Sequence, residues 1–206
     1  MSNPLLESFE LPTFSRIKPE HVRPAIEQII ADNRAAVQSR LEKGGPYTWE
    51  NLVAPLEVMD DRLNRSWSPV SHLNAVMNSE ALRDAYNGCL PLLSEYATEF
   101  GQNEKLYAAY LELAEAPEFK ALDQAQKQIV KNALRDFRLS GVSLPSAKKD
   151  RFKELAQELS KLSSQFQDNV LDATQAWQRH IEDVSVLAGI PESARAMAAE
   201  TARSQG

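Results

Sequence analysis

Apolar residues recur at helical spacing along most of this 206-residue chain, and the longest regular stripe lies late in it. Phe152, Leu155, Leu159, Leu162, Phe166, Val170, Ala173, Trp177 and Ile181 follow one another at intervals of three or four. That spacing keeps one side of an α-helix apolar. It predicts a rod from residue 146 to about 181, and some 30 residues of helix reach about 45 Å. One stripe cannot bury itself, so other helices are expected to pack along this rod.

Earlier stripes are shorter and are punctuated by turn formers. Residues 4–17 carry Pro4, Pro12 and spaced apolar side chains, and read as an extended arm that buries Leu5, Leu6, Phe9, Leu11, Phe14 and Ile17. Pro19 suits the first turn of a helix, and Val22, Ile26, Ile29, Ile30, Val37 and Leu41 continue it to Lys43. Gly44-Gly45-Pro46 then stops it. Thr48 is a plausible cap for a helix with Leu52, Leu56, Met59 and Leu63 inward, and Pro55 is expected to kink it. Trp67-Ser68-Pro69 reads as a second break, with a short helical piece from 70 to 78 beyond it. Ser79 caps a helix over 80–100 and Asn103 another over 104–115. A further helix is expected to run from Pro117 to Gly141, and a last one to start at Pro191. No run alternates well enough for a strand, and no period of 20–50 residues recurs.

The predicted class is therefore all-α, in antiparallel helical layers around the long helix at about 146–181. The organisation is one helical region, 1–206, with an arm over 1–18, helices over 19–186, and a turn and final helix over 187–206. Composition adds little to this picture: 43% of residues are hydrophobic and 25% charged, which is ordinary for a globular chain. A net charge of −6 argues against a nucleic-acid or anionic-membrane partner, since both require a basic face. A single cysteine, Cys89, fits a reducing cytosol and excludes an internal disulfide. The first ten residues lack the basic and apolar regions of a signal peptide. No run approaches the roughly 18 apolar residues of a membrane span.

Candidate chemistry is sparse. A zinc peptidase helix sets two histidines one turn apart with a glutamate between them, whereas His21, His72 and His180 are far apart in sequence. His21 reads as solvated, His72 as a hydrogen-bonded structural residue, and His180 as lying on the polar side of the rod. Cys89 falls among Tyr86, Leu90 and Leu93 and reads as a buried small hydrophobe. Asp60 and Asp61 diverge by about 100° on a helix and do not share a site. Glu154 and Glu158 read as surface charges beside Lys153 and Lys161. Trp49, Trp67 and Trp177 all sit at core-compatible spacing. No catalytic residue, cofactor-binding residue or metal ligand is assigned.

Six stretches taken in order carry more information. Residues 46–52 (PYTWENL), 68–74 (SPVSHLN), 90–96 (LPLLSEY), 132–141 (NALRDFRLSG), 162–174 (LSSQFQDNVLDAT) and 187–193 (LAGIPES) together resemble the N-terminal region of a family of zinc oligopeptidases. The family includes oligopeptidase A, thimet oligopeptidase, neurolysin and dipeptidyl carboxypeptidase, and the resemblance covers essentially the whole chain. It implies a mostly helical, cytosolic, zinc-dependent parent whose two lobes enclose a channel open only to short unfolded peptides. The zinc ligands of the family lie in the C-terminal half, so none is carried over to a residue here. The chain is then expected to be a channel-wall scaffold, inactive alone, whose partner is the C-terminal catalytic lobe. Exposed apolar surface facing that lobe would favour a homodimer. The resemblance also implies that residues 177–181 leave the rod as a short strand, whereas their spacing keeps them helical. The alternative reading is a free-standing helical module that binds peptides or proteins without peptidase activity.

Overall fold

A computed structural model describes residues 3–204. Residues 1, 2, 205 and 206, assigned above to the arm and the final helix, lie outside the described part. The described chain is helical with no strand, in seven α-helices, as the all-α expectation requires. It divides into a body, up to Ser164, and a second unit that begins at Gln165.

The body is built around α1 (Pro19–Glu42), which packs on both α2 (Ala54–Val76) and α3 (Glu80–Gly101). Pro19 opens α1, where its missing N–H is no loss, and the Lys18 amide donates to His21 Nδ1 at 3.1 Å. Val22, Ala25, Ile26, Ile29 and Ile30 are fully or almost fully buried along one face. Each of the larger ones contributes about 1.5–3 kcal/mol by leaving water. The helix ends at a loop in which Gly44 has φ +69°, a conformation that favours glycine. Arg40 holds this loop from inside the helix. Its guanidinium donates to the carbonyls of Asn51 (2.7 Å) and Gly44 (2.8 Å) and lies 4.5 Å from the centre of the Tyr47 ring.

Thr48 caps a π-helical turn, Trp49–Val53, which runs straight into α2. Pro55 thus sits in the first turn of α2. The break expected at 67–69 does not occur, because α2 continues through Pro69 to Val76. Proline interrupts only one ladder bond, and Pro69, Val70 and Leu73 are all buried. The neighbouring Ser66 hydroxyl, also buried, donates to the Leu5 carbonyl at 2.6 Å and ties the arm down. Arm burial is narrower than expected. Pro4 and Leu5 are buried, whereas Leu6, Phe14 and above all Leu11 (81% exposed) face solvent.

The α3 helix is capped by the Ser79 hydroxyl, and α4 (Glu104–Glu115) by Asn103, whose side chain accepts from the Leu106 amide at 3.0 Å. The helix expected from Pro117 is in fact two pieces. Residues Pro117–Ala121 form a 3-10 turn, and α5 (Gln124–Leu139) starts afresh at Asp123. Asp123 and Gln126 form a reciprocal capping box at 2.8 and 3.0 Å. Two apolar clusters fill the body. One joins the start of α1, the second half of α2 and α3 around Val22, Ile26, Val70 and Cys89. The other joins the end of α1, the π turn, α4 and α5 around Leu52, Leu106, Leu113 and Phe137.

The long helix, α6 (Ser146–Ala176), contributes to neither cluster. In the body, Lys153 pairs with Glu95 and the Ser164 hydroxyl donates to Asn87 at 2.7 Å, so α6 lies antiparallel to α3. The less exposed positions of α6 within the body are Lys149, Phe152, Lys153, Ala156, Gln157, Ser160 and Ser164. The body therefore takes a mixed face of polar and small residues, while Leu155, Leu159 and Leu162 are 49%, 67% and 53% exposed. Within the body, the expectation that other helices cover the leucine stripe does not hold.

The second unit consists of the last turns of α6, a 3-10 turn at Val184–Leu187 and α7 (Glu192–Ser204). None of its described side chains is buried, including Phe166, Val170 and Trp177. The helix ends at Ala176 and not near 181. Residues 177–183 are neither helix nor strand, so the chain leaves the rod where the family resemblance expects but pairs with nothing as a strand.

Candidate functional site

The two apolar clusters of the body meet without merging, and aromatic rings, carboxylates and a buried amide converge at the seam between them. The cleft has a volume of about 500 Å³, within the range of small-ligand sites. Helix α2 forms one wall, with Leu56, Met59, Leu63 and Trp67 interleaved with Glu57 and Asp60. The other walls are α3 and the end of α5. Four rings line it in succession. Tyr96 and Phe100 are 6.2 Å apart, Phe100 stacks on Phe137 at 6.0 Å, and Tyr110 meets Phe137 edge-on at 5.5 Å. Trp67 stacks on Tyr86 at 4.8 Å with an interplanar angle of 12°, which fixes the indole. Asn33 reaches the cleft from α1, is 2% exposed and hydrogen-bonds the Tyr96 hydroxyl.

The electrostatics of the cleft are negative. Burial, and then the charge of Asp60, raise the Glu57 carboxyl above its usual value. Burial raises the Tyr110 phenol and Glu57 adds to it. Burial also raises Tyr96, opposed by the bond from Asn33 and reinforced by Asp60. The carboxylates are therefore felt inside the cleft and not only in solvent. Asp136 is paired with Arg135 at 2.8 Å, and Arg34 outside the cleft with Glu99 at 2.7 Å.

The residues singled out from sequence do not assemble. His21 accepts the Lys18 amide at the start of α1, and so has a capping role and not merely a solvated one. His72 is exposed beside Phe14, ring centres 5.5 Å apart, and His180 is exposed 3.8 Å from Glu182. Cys89 is fully buried, and burial pushes its thiol up to about 11. Trp49 and Trp67 are partly buried as expected, but Trp177 is 72% exposed. Asp61 turns away from Asp60 toward Arg65, at 3.9 Å. Among the described residues, no three of His, Cys, Asp or Glu gather closely enough to hold a metal ion. No step of metal chemistry is assigned to these residues. Among the described residues, no helix is long and apolar enough to cross a membrane. Sequence reasoning passed over Glu57 and Asn33, and read Asp60 only as one of two diverging surface acids. The available signal was polar residues set inside the apolar stripes of α1 and α2.

A body of paired helices, with no strand among the described residues, defines an all-helical domain. Its family follows from comparison with known proteins. Residues 26–149 match the family model "Neurolysin/Thimet oligopeptidase, N-terminal domain", and the chain belongs to that family. It is 53% identical to oligopeptidase A of Haemophilus influenzae over 206 residues, all of this chain and 30% of the relative. It is 55% identical to oligopeptidase A of Salmonella typhimurium over 198 residues, 96% of this chain and 29% of the relative. A probable cytosolic oligopeptidase A of Arabidopsis thaliana is 36% identical over 205 residues, 100% of this chain and 29% of the relative. The chain thus spans about 30% of the length of the curated relatives it matches.

Proposed function

We propose that this chain is the N-terminal scaffold region of a cytosolic zinc oligopeptidase that cleaves short unfolded peptides, and that it forms part of the channel wall without supplying a zinc ligand. The observation that carries this reading is the pairing of family membership with length: the whole chain aligns with oligopeptidase A relatives, yet spans about 30% of them. The partner is then the remaining, catalytic lobe of the same protein. Leu155, Leu159 and Leu162, an apolar row that the body leaves in solvent, are the surface offered to it. Without that lobe the same row favours self-association at high concentration.

The chain's own part in the reaction is to position and to exclude. It moves no proton and activates no water. The test is an assay of the pure 206-residue chain on a flexible peptide of about ten residues with added zinc. No turnover is expected, and metal-dependent turnover overturns the proposal. A second reading, a module that binds peptides in its own right, is favoured by the aromatic cleft between α2, α3 and α5.

A further inference from the structure

We infer that the cleft between α2, α3 and α5 is a docking site for a peptide segment bearing lysine or arginine, with the side-chain stem against the rings and its cation between Glu57 and Asp60. The inference concerns binding by this chain alone and goes beyond its proposed place in a peptidase.

Charge complementarity selects the occupant. No Lys or Arg lines the cleft, whereas Glu57, Asp60 and Asp136 do. Asp136 already has Arg135 as partner. Asp60 accepts a hydrogen bond from the Asn64 amide at 2.9 Å, and among the described residues neither Glu57 nor Asp60 has a cationic partner. Glu57 and Asp60 line the cleft while staying exposed, and the charge of Asp60 opposes ionisation of Glu57, so a cation beside them is stabilised. A neutral apolar ligand would leave that repulsion in place, and an anion would add to it.

The walls select the shape. Lysine and arginine carry three or four methylenes beneath the charge, and such stems pack on apolar surface while the head stays polar. Phe100, Phe137 and Tyr110 hold one another edge-on or stacked, so the ring wall is formed before any ligand arrives. Ring faces attract cations, the more so where water is excluded. The Asn33 bond to Tyr96 fixes the phenol at the floor. A volume of about 500 Å³ exceeds one side chain and accommodates the flanking backbone.

The experiment titrates the intact 206-residue chain with end-blocked pentapeptides that differ only at the central residue: arginine, lysine, norleucine or glutamate. Calorimetry is read alongside indole fluorescence. Arginine and lysine peptides are expected to bind at least about tenfold more tightly than norleucine, and glutamate to show no binding. The double variant Glu57→Gln/Asp60→Asn is expected to lose that preference while keeping its helical circular dichroism. If the double variant fails to fold, Asp60→Asn alone and the salt dependence on the unaltered protein decide the same point, since charge-driven binding weakens as salt rises. Equal binding of the arginine and norleucine peptides overturns the inference, as does an unchanged preference in the charge variants or no binding of any peptide at millimolar concentration. Sedimentation of the free chain is the remaining arm: a dimer that the arginine peptide cannot dissociate, with the cleft covered by the second copy, also overturns it.

Discussion

Helix α1 and the long helix α6 carry apolar stripes of comparable regularity, yet Ile26 on α1 is fully buried and Leu159 on α6 is 67% exposed. Periodicity states which residues share a side of a helix; it does not state whether anything covers that side. On α1 both neighbours, α2 and α3, are supplied by the same chain. On α6 the body takes the face of Ala156, Ser160 and Ser164 and leaves the leucines outward. The difference separates a region that stabilises itself from one whose apolar face the described residues of the body do not cover.

Thiol labelling gives the widest contrast. Cys89 is buried with its thiol pushed up to about 11, so it reacts only when the body opens. A Leu159→Cys variant is expected to label on the order of a thousandfold faster at that position than at Cys89 in native conditions. Similar rates would mean that the body is not the stable unit described. Equilibrium unfolding comes next. Ile26→Ala is expected to cost about 2–5 kcal/mol, and Leu159→Ala to stay within about 0.5 kcal/mol. A large loss at Leu159 would show that α6 finds cover in solution.

A smaller effect tests how tightly the body is closed. A Cβ added at Gly101 would sit 2.6 Å from both Cβ and Oγ of Ser140, which belongs to the turn after α5. Gly101→Ala is expected to destabilise by about 1–3 kcal/mol, and Ser140→Gly to recover part of the loss in the double variant. The smallest effect concerns the cleft. Glu57 has a raised folded value, so its contribution to stability is present at low pH and is lost as pH rises through that value. Glu57→Gln should therefore leave the thermal midpoint unchanged near pH 4 and raise it slightly at pH 7. A drop at pH 7 would show that the carboxylate is stabilising where it stands.

The same contrast explains what could be read from the sequence. Helices α1, α3 and α4 were legible because Pro19, Ser79 and Asn103 mark their starts by local chemistry that needs no tertiary partner. The start of α5 was available in Asp123 and Gln126 but was masked by the stronger signal of Pro117. The Pro69 break was wrong because buried neighbours on both sides hold α2 together across one missing bond. The end of α6 at Ala176 was misjudged because Trp177 and Ile181 continue a spacing that no packing enforces; both are exposed. The cleft was least legible of all. It exists where two clusters fail to merge, and Asn33, Tyr96 and Phe137 come from three helices that no local pattern brings together.

The Arg40 clasp at the end of α1 has a consequence for how this domain can vary. Its guanidinium grips main-chain oxygens at Gly44 and Asn51, along with the side-chain oxygen of Asn51 at 2.7 Å. Carbonyl oxygens are the same whatever residue bears them. The loop is therefore free to drift in chemistry at Lys43, so long as its path and its length stay fixed, whereas any side chain at Gly45 would meet the Glu112 carboxylate, and a one-residue insertion there should do more harm than a substitution at Lys43.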